Sequence, residues 1–440
     1  MEDAYIIRGG KKIEGSVRLS GAKNVSLKLI IAALLLDTKV VLENVPRISD
    51  VHELIHLVKN LGVKADFMSK NTLEIDPSSL TGNKVDLLHA SKTRVSFMLF
   101  APLLHKFGNC LIPNPGGCRI GARPIDRIIA GMKKLGAKII YNHETGYYEA
   151  KLETKPQGEY TFQKPTHTGT ELLVMFSVFG KGTIAIINPA PEPEIDELIG
   201  FLNAVGANIR RKKDRILVKG VSKLKQKKPF IVNSDRNEAT TFATLGLASK
   251  GSMTLENISP SHIQTFIDQV KMTGSGVDLN SNSVNFSFKG SIKPTDIETM
   301  PHPGFMTDWQ PNWAVLMTQA DGDSVIHERI HENRFGYVEE LKKLGAKIEF
   351  VDPLISNPKE YYDFNYKETE DYQQAIRIHG GTPLHGGVLV TSDLRAGAAL
   401  VVASLISHGE SIVYGASIID RGYEDFDMKL RMVGGNIKKV

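Results

Sequence analysis

The sequence predicts an α/β protein in which one small helix–glycine–strand unit is used six times, most simply as two domains of three units each. Two observations carry this. The fragment Lys133-Lys134-Leu135-Gly136-Ala137-Lys138-Ile139 returns as Lys342-Lys343-Leu344-Gly345-Ala346-Lys347-Ile348. Similarly flanked glycines fall at 62, 136, 206, 276, 345 and 434, with successive differences of 74, 70, 70, 69 and 89. Solenoid repeats run to roughly 20–50 residues, so a period near 70 suits a small α/β unit instead.

The local logic is the same in each copy. Ile125, Ile128, Ile129, Met132 and Leu135 recur at helical spacing. Lys133 and Lys134 sit in the last turn, where cations suit the helix dipole. Gly136 then ends the helix in the left-handed conformation, and Lys138-Ile139-Ile140-Tyr141 reads as a strand. Weaker copies surround Gly62, Gly206 and Gly434, and a degraded one surrounds Gly276. Short strands bounded by turn residues lie between copies, such as Gly182 to Ile187 and Ser252 to Glu256. The last interval is the longest. Its excess lies in the acidic, tyrosine-rich stretch from Asp352 to Gln374, which reads as a surface insertion.

Composition narrows the class. At 440 residues, 41% hydrophobic and 23% charged, the chain can bury large cores. The net charge of +5 is mild, and the lysine run from Lys223 to Lys228 lacks interleaved aromatics, so nucleic acid is not an expected partner. Two cysteines, Cys110 and Cys118, make no disulfide framework. The acidic start, Met1-Glu2-Asp3-Ala4-Tyr5, lacks the pattern of a secretory signal, and the longest apolar run, Leu29 to Leu36, is too short for a bilayer. A soluble protein of the reducing cytoplasm, needing no obligate protein partner, is the expectation.

Several stretches carry candidate chemistry. From Pro113 to Asp126 the chain holds three glycines and three prolines around Cys118, with Arg119 and Arg123 beside the thiol. Such a stretch can be neither helix nor central strand. Nearby cations favour the reactive thiolate. Ser20-Gly21-Ala22-Lys23-Asn24 sets a lysine at a helix start. That is unfavourable for the dipole unless an anion also binds there; otherwise Lys23 is a solvated side chain. His52-Glu53-Leu54-Ile55-His56 matches a zinc-protease pattern, but the extended form wants glycine and histidine where Lys59 and Gly62 stand. Val51, Leu54, Ile55, Val58 and Leu61 make the other face the buried one, so both histidines are expected at the surface and no metal site is expected. Arg94, Arg123, Arg334, Arg395 and Arg421 sit beside turns, where guanidinium forks suit phosphates and carboxylates. Asp308, with no charged sequence neighbour, serves either as a general base or as a helix N-cap.

Taken together the segments resemble one family. They are Ser20-Gly21-Ala22-Lys23-Asn24, Pro115-Gly116-Gly117-Cys118, Gly121-Ala122-Arg123-Pro124-Ile125-Asp126, Asp235-Arg236-Asn237-Glu238-Ala239, Thr307-Asp308, Glu332-Asn333-Arg334-Phe335, Asp393-Leu394-Arg395-Ala396 and Asp420-Arg421-Gly422-Tyr423-Glu424. Their types and order resemble the UDP-N-acetylglucosamine 1-carboxyvinyltransferase family over nearly the whole chain. The resemblance implies two domains of three βαβαββ-type units, the inside-out α/β barrel, with one domain at 22–234 and the other formed by 1–21 plus 235–440. It implies transfer of the enolpyruvyl group of phosphoenolpyruvate to the 3′-hydroxyl of UDP-N-acetylglucosamine, by addition and elimination with release of phosphate. That reaction begins peptidoglycan precursor synthesis. No cofactor or metal is implied.

The same resemblance implies roles. Lys23, Arg123 and Arg421 hold phosphoenolpyruvate. Asn24, Arg94 and the turn Arg123, Pro124, Ile125, Asp126 and Arg127 hold the nucleotide sugar, with Ile330 beside the sugar. Arg334 and Arg395 add cationic charge for the two anionic substrates. Asp308 accepts the hydroxyl proton, Cys118 is the general acid, and Asp393 assists it or orients the site. Departures stand at His167-Thr168-Gly169-Thr170-Glu171, where the family has Ser-Val-Gly-Ala-Thr, at Arg119 and Arg127, and in the insertion. Two alternatives remain. The shikimate-pathway relative lacks the cysteine and has serine where Asn24 stands. The other is a non-catalytic binding protein on the same scaffold.

Overall fold

The computed structural model describes residues 3–116 and 125–440. Two units emerge, dividing at 20/21 and at 233/234: a terminal unit of residues 3–20 and 234–440, and an inserted unit of residues 21–116 and 125–233. Each buries its own apolar core. One runs from Ala22 to Val232; the other joins Tyr5–Leu19 to Ala239–Ile437.

Each unit holds three sheets built to one plan, the repeated α/β design that the sequence predicts. A short edge strand pairs in parallel with a central strand, and two antiparallel neighbours follow. In the inserted unit Phe230–Ile231 lies parallel to Val40–Glu43, followed by Leu73–Asp76 and Lys64–Phe67. Glu159–Thr161 opens a second sheet with Thr183–Ile187, Arg215–Lys219 and Asn208–Arg211. The third consists of Asn109–Pro113, Tyr147–Leu152 and Ala137–Asn142, with a single parallel bridge, Lys84 to Leu111, in place of the edge strand.

The terminal unit repeats the plan. Its edge strands are Glu14–Arg18, Ile297–Glu298 and Val388–Val390. In the last sheet the neighbour of the central strand Glu410–Tyr414 is Ala4–Arg8, which in turn pairs with Asn436–Lys439. The N-terminal strand thus fills the place that a later strand fills in the other sheets.

Glycine ends the repeated helix in every copy. Gly62, Gly136, Gly206, Gly345 and Gly434 have φ of +95°, +117°, +109°, +93° and +95°. The degraded copy is corrected by two residues. Its left-handed glycine is Gly274 (φ +83°), whereas Gly276 opens strand Gly276–Asn280. A side chain at a left-handed position costs about 1–2 kcal/mol, so glycine is selected there by backbone conformation rather than by contact.

Inside the sheets lie helices buried on nearly every side. All thirteen residues of Arg236–Ala248 and all nine of Gln310–Thr318 are buried. With Leu394–Ile406 they pack against one another at the centre of the terminal unit. Lys23–Ala33 and His167–Ser177 are the comparable helices of the inserted unit. A helix buried on every side is a core helix. Threonines in Arg236–Ala248 are accommodated because Thr240 and Thr241 donate to the carbonyl of Asn237 within the same helix (3.0 and 3.1 Å). Among the described residues no helix is long and apolar enough to cross a membrane.

The insertion is less superficial than its polarity suggests. Tyr362 and Phe364 are buried, and their rings continue to Tyr366 and Tyr372. Arg329 stacks its guanidinium 4.1 Å from the Tyr361 ring and donates to Glu298 Oε1 (2.6 Å). At its end Gln374 donates to the carbonyls of Glu328 and His331 and accepts from Asn333 N–H, bracing that loop.

The repeat glycines differ in their surroundings, which gives a test. A Cβ at Gly206 meets nothing within 4 Å, whereas one at Gly62 lies 2.6 Å from the Ser79 carbonyl and Thr81 Oγ1. Gly206→Ala is expected to destabilise by about 1–2 kcal/mol, the conformational strain alone. Gly62→Ala, which adds a clash with backbone, is expected to lower the urea midpoint further. Equal midpoints for the two variants would contradict this assignment.

Candidate active site

Several chemistry-bearing residues sit where buried helices begin. In the terminal unit Asp308 lies in the 3-10 turn Thr307–Trp309 that leads into Gln310–Thr318. It caps neither element, since the turn's N-cap is Met306 and no side chain bonds there. Arg395 is the second residue of Leu394–Ile406. Asp393 caps that helix, its Oδ1 accepting from Arg395 N–H (2.8 Å) and Ala396 N–H (3.1 Å). The cap sets where the helix that carries Arg395 starts.

Asp308 has two charged neighbours in space that its sequence surroundings conceal. Arg334 Nη2 donates to its Oδ1 (2.6 Å) and Arg395 Nε to its Oδ2 (3.3 Å). Arg334 Nη1 also donates to Thr307 Oγ1 (2.7 Å). The arginine side chains are only 6% and 5% exposed. Burial opposes ionisation of Asp308, but Arg334 and then Arg395 outweigh it and hold the carboxyl well below the usual carboxylate range. Arg395 Nη1 is buried and makes no hydrogen bond among the described residues. A buried donor of that kind is costly unless something accepts from it. Ile330 and Arg421 are half-buried, the former following strand Asp323–His327 and the latter following helix Ala416–Ile419.

In the inserted unit Lys23 opens helix Lys23–Ala33, whose first turn has no acidic residue and no side-chain cap. The lysine is buried rather than solvated. Its Nζ lies 2.8 Å from Asp50 Oδ2, both side chains 8% exposed. Asp50 was not singled out from sequence; its position in the first turn of Ser49–Asn60 was the available signal. Asn24 is half-buried beside Lys23. Arg94 opens the turn Arg94–Leu99, its guanidinium 5.9 Å from the Phe97 ring. Ile125 is the buried N-cap of Asp126–Lys134, Asp126 is exposed, and the Arg127 carbonyl accepts from Tyr160 OH (3.0 Å).

Cys118, Arg119, Arg123 and Pro124 lie outside the described residues. The chain that leads to them is held by close packing: a Cβ on Gly116 would lie 1.7 Å from the Ser91 carbonyl oxygen, so only glycine fits. Cys110 is buried in strand Asn109–Pro113, and burial pushes its thiol up. His52 and His56 are exposed, while Glu53 between them pairs with His89 (3.1 Å) and Lys92 (3.2 Å). Among the described residues no cluster of three metal-binding side chains occurs.

Residues 7–430 match the family described as EPSP synthase (3-phosphoshikimate 1-carboxyvinyltransferase). Relatives named UDP-N-acetylglucosamine 1-carboxyvinyltransferase align over nearly their full length. The chain is 36% identical to that of Acidobacterium capsulatum, covering 100% of this chain and 96% of the relative. It is 37% identical to that of Desulforapulum autotrophicum, covering 100% of each. The chain belongs to the EPSP synthase family, among the UDP-N-acetylglucosamine 1-carboxyvinyltransferases. Solved enolpyruvyl transferases share the fold. The enolpyruvyl transferase NikO from Streptomyces tendae gives a TM-score of 0.85 at 20% identity, covering 99% of this chain and 98% of its own. EPSP synthase from Acinetobacter baumannii gives 0.72 at 16%, covering 99% of each.

Helix His167–Ser177 of this carboxyvinyltransferase chain helps to build a buried ionic cluster. Glu171 is fully buried, with Lys28 Nζ 3.3 Å from Oε2 and His167 Nε2 3.2 Å from Oε1, ion-pair distances without hydrogen-bond alignment. Lys28 stands on the same helix as Lys23. Burial depresses the imidazole, but Glu171, with help from Glu192, outweighs both burial and the repulsion of Lys28, so His167 is raised. A raised histidine contributes stability that is complete below its unfolded value of about 6.5 and lost as pH rises through the folded value above it. The thermal midpoint of the parent is therefore expected to exceed that of His167→Asn most at mildly acid pH, with the gap narrowing as pH rises above about 6.5. A gap that stays constant or widens would contradict the pairing.

Proposed function

We propose that this chain transfers the enolpyruvyl group of phosphoenolpyruvate to the 3′-hydroxyl of UDP-N-acetylglucosamine, releasing phosphate, as the first step of peptidoglycan precursor synthesis in the cytoplasm. The observation that carries the reading is the pairing of Asp308, held ionised by two buried guanidiniums, with Arg395, whose buried Nη1 makes no hydrogen bond among the described residues. A base and an anion donor stand side by side.

In this reading the sugar hydroxyl gives its proton to Asp308 as its oxygen bonds to C2 of phosphoenolpyruvate, while C3 takes a proton from Cys118. The tetrahedral ketal then returns a proton from C3 to the Cys118 thiolate and breaks its C2–O bond to phosphate, which leaves with the bonding electrons, regenerating the vinyl group. Lys23, Arg123 and Arg421 hold phosphoenolpyruvate, and Arg334 and Arg395 add to the positive field that an anion meets. Asn24, Arg94 and the turn from Arg123 to Arg127 hold the nucleotide sugar, beside Ile330. A carboxylate clamped by two guanidiniums is a weak base. An anion that engages Arg395 shares its charge, loosens the clamp and raises the basicity of Asp308 when substrate is present. The reaction as written needs no metal and no protein partner.

A second reading rests on the matched family's description, transfer to shikimate 3-phosphate; Asn24 and Cys118 disfavour it. Phosphate release from phosphoenolpyruvate decides: release is expected with UDP-N-acetylglucosamine and not with shikimate 3-phosphate, and the reverse would overturn the proposal. Asp308→Asn should keep substrate binding and lower kcat by about 10²–10⁴. Parental turnover in this variant would remove Asp308 from the role.

The thiol gives an independent test. Fosfomycin, a phosphonate epoxide that resembles phosphoenolpyruvate, is expected to alkylate Cys118, since thiolate is the nucleophile and cations favour it. Cys110, buried and with its thiol pushed up, should not react. Cys118→Asp keeps a proton donor and should escape inactivation while retaining some turnover. Peptide mass spectrometry after treatment with nucleotide sugar and epoxide reads the outcome; an adduct on Cys110 instead would refute the assignment.

A further inference from the structure

Glu328 follows strand Asp323–His327 and is fully buried. Its Oε1 accepts from Thr299 Oγ1 (2.9 Å), Ile330 N–H (2.7 Å) and His331 N–H (3.1 Å). Its Oε2 accepts from Thr307 Oγ1 (2.7 Å) and Gln310 Nε2 (3.5 Å). All five partners donate, so the pocket demands a group that only accepts. Burial pushes the Glu328 carboxyl up, opposed by Arg334 and these donors; an ionised carboxylate meets the demand of the pocket and an amide does not. Burying a carboxylate is costly, and loop anchoring alone would need only one acceptor oxygen.

Thr307 explains the second oxygen. Its hydroxyl has one proton, and Glu328 takes it. The lone pairs are thereby turned to Arg334 Nη1, which donates to them at 2.7 Å. Arg334 is then fixed at three points: Nη1 on Thr307, Nη2 on Asp308, and its carbonyl on Gln310 Nε2 (2.9 Å). We propose that Glu328 is a positioning residue for the reaction, orienting Thr307 so that Arg334 is locked onto Asp308; this rests on the reading of Asp308 as the base. The charged and titratable groups facing Asp308 are Arg334, Arg395 and His331, and those facing Arg334 are Asp308, Asp393 and Glu328.

Glu328→Gln is the direct perturbation. If the amide nitrogen faces Thr307, the hydroxyl meets two donors and loses its acceptor. If it faces the loop, it opposes the N–H groups of Ile330 and His331. The loop side holds three donors against two at Oε2, so the amide nitrogen is expected to face Thr307; Arg334 then loosens and Asp308 takes up a proton at higher pH. The measurement is carboxyl ¹³C NMR on the full chain with labelled aspartate, the Asp308 signal assigned by its loss in Asp308→Asn, alongside kcat against pH.

Protonation of Asp308 on acidification is expected to begin at higher pH in Glu328→Gln and in Thr307→Ala than in the parent. The acid limb of kcat should move the same way and kcat should fall roughly tenfold. Thr307→Ser should behave as the parent, and the double variant should shift no further than the larger single. If Glu328→Gln does not fold, the Thr307 pair carries the test. An unmoved Asp308 titration in Thr307→Ala, or shifts that simply add, would overturn the proposal. Full turnover in Asp308→Asn would instead refute the base reading, while the titration still decides the linkage.

Discussion

A helix buried on all sides meets the outside only at its ends, and that constraint orders the rest of this protein. Arg236–Ala248, Gln310–Thr318 and Leu394–Ile406 pack so completely that their lateral faces have no room for chemistry. Polar residues therefore collect at their starts. Their unsatisfied N–H groups and positive dipole ends also favour negative charge there. Asp235 and Asp393 meet that demand directly as caps. Asp308, one turn ahead of its helix, is held by guanidiniums instead.

Charge inside such cores is tolerated because it is grouped. Lys23 has Asp50, Glu171 lies between Lys28 and His167, and Glu238 takes Lys429 (2.5 Å) together with the N–H of Ser20 (2.7 Å). Removing one member of a buried pair costs far more than the pair contributes. The geometry at each helix start is therefore specified by several side chains at once, and a single substitution spreads to its partners.

Much of the fold was legible because it repeats. A helix, a left-handed glycine and a strand leave a local signature that needs no knowledge of distant contacts, and six copies reinforce one another. The one misplacement, Gly276 for Gly274, arose where that copy has two glycines two residues apart and periodicity cannot choose between them. The arginines and acids of the candidate site were legible as types and motifs, but their neighbours were not. Nothing in Met306-Thr307-Asp308-Trp309 announces that Arg334 and Arg395 will face the carboxylate, because that contact spans 26 and 87 residues. Asp50 and Glu328 were missed for the same reason. The insertion looked like solvent-exposed chain because its acids dominate; its tyrosines stack on each other and on Arg329, a pattern with no fixed sequence period.

The pairing of Ala4–Arg8 with Glu410–Tyr414 and Asn436–Lys439 has a consequence for the newborn chain. A ribosome delivers residues in order, and domains fold as their parts emerge. The inserted unit has all its strands once residue 233 has left the exit tunnel, so it can close while synthesis continues. The first strand, by contrast, waits through almost the whole of translation for the last. Its apolar Tyr5 and Ile7, fully buried at the end, stay uncovered for that interval. Its neighbours Arg8, Lys11 and Lys12 keep the waiting segment charged, a guard against early mispairing with other nascent chains.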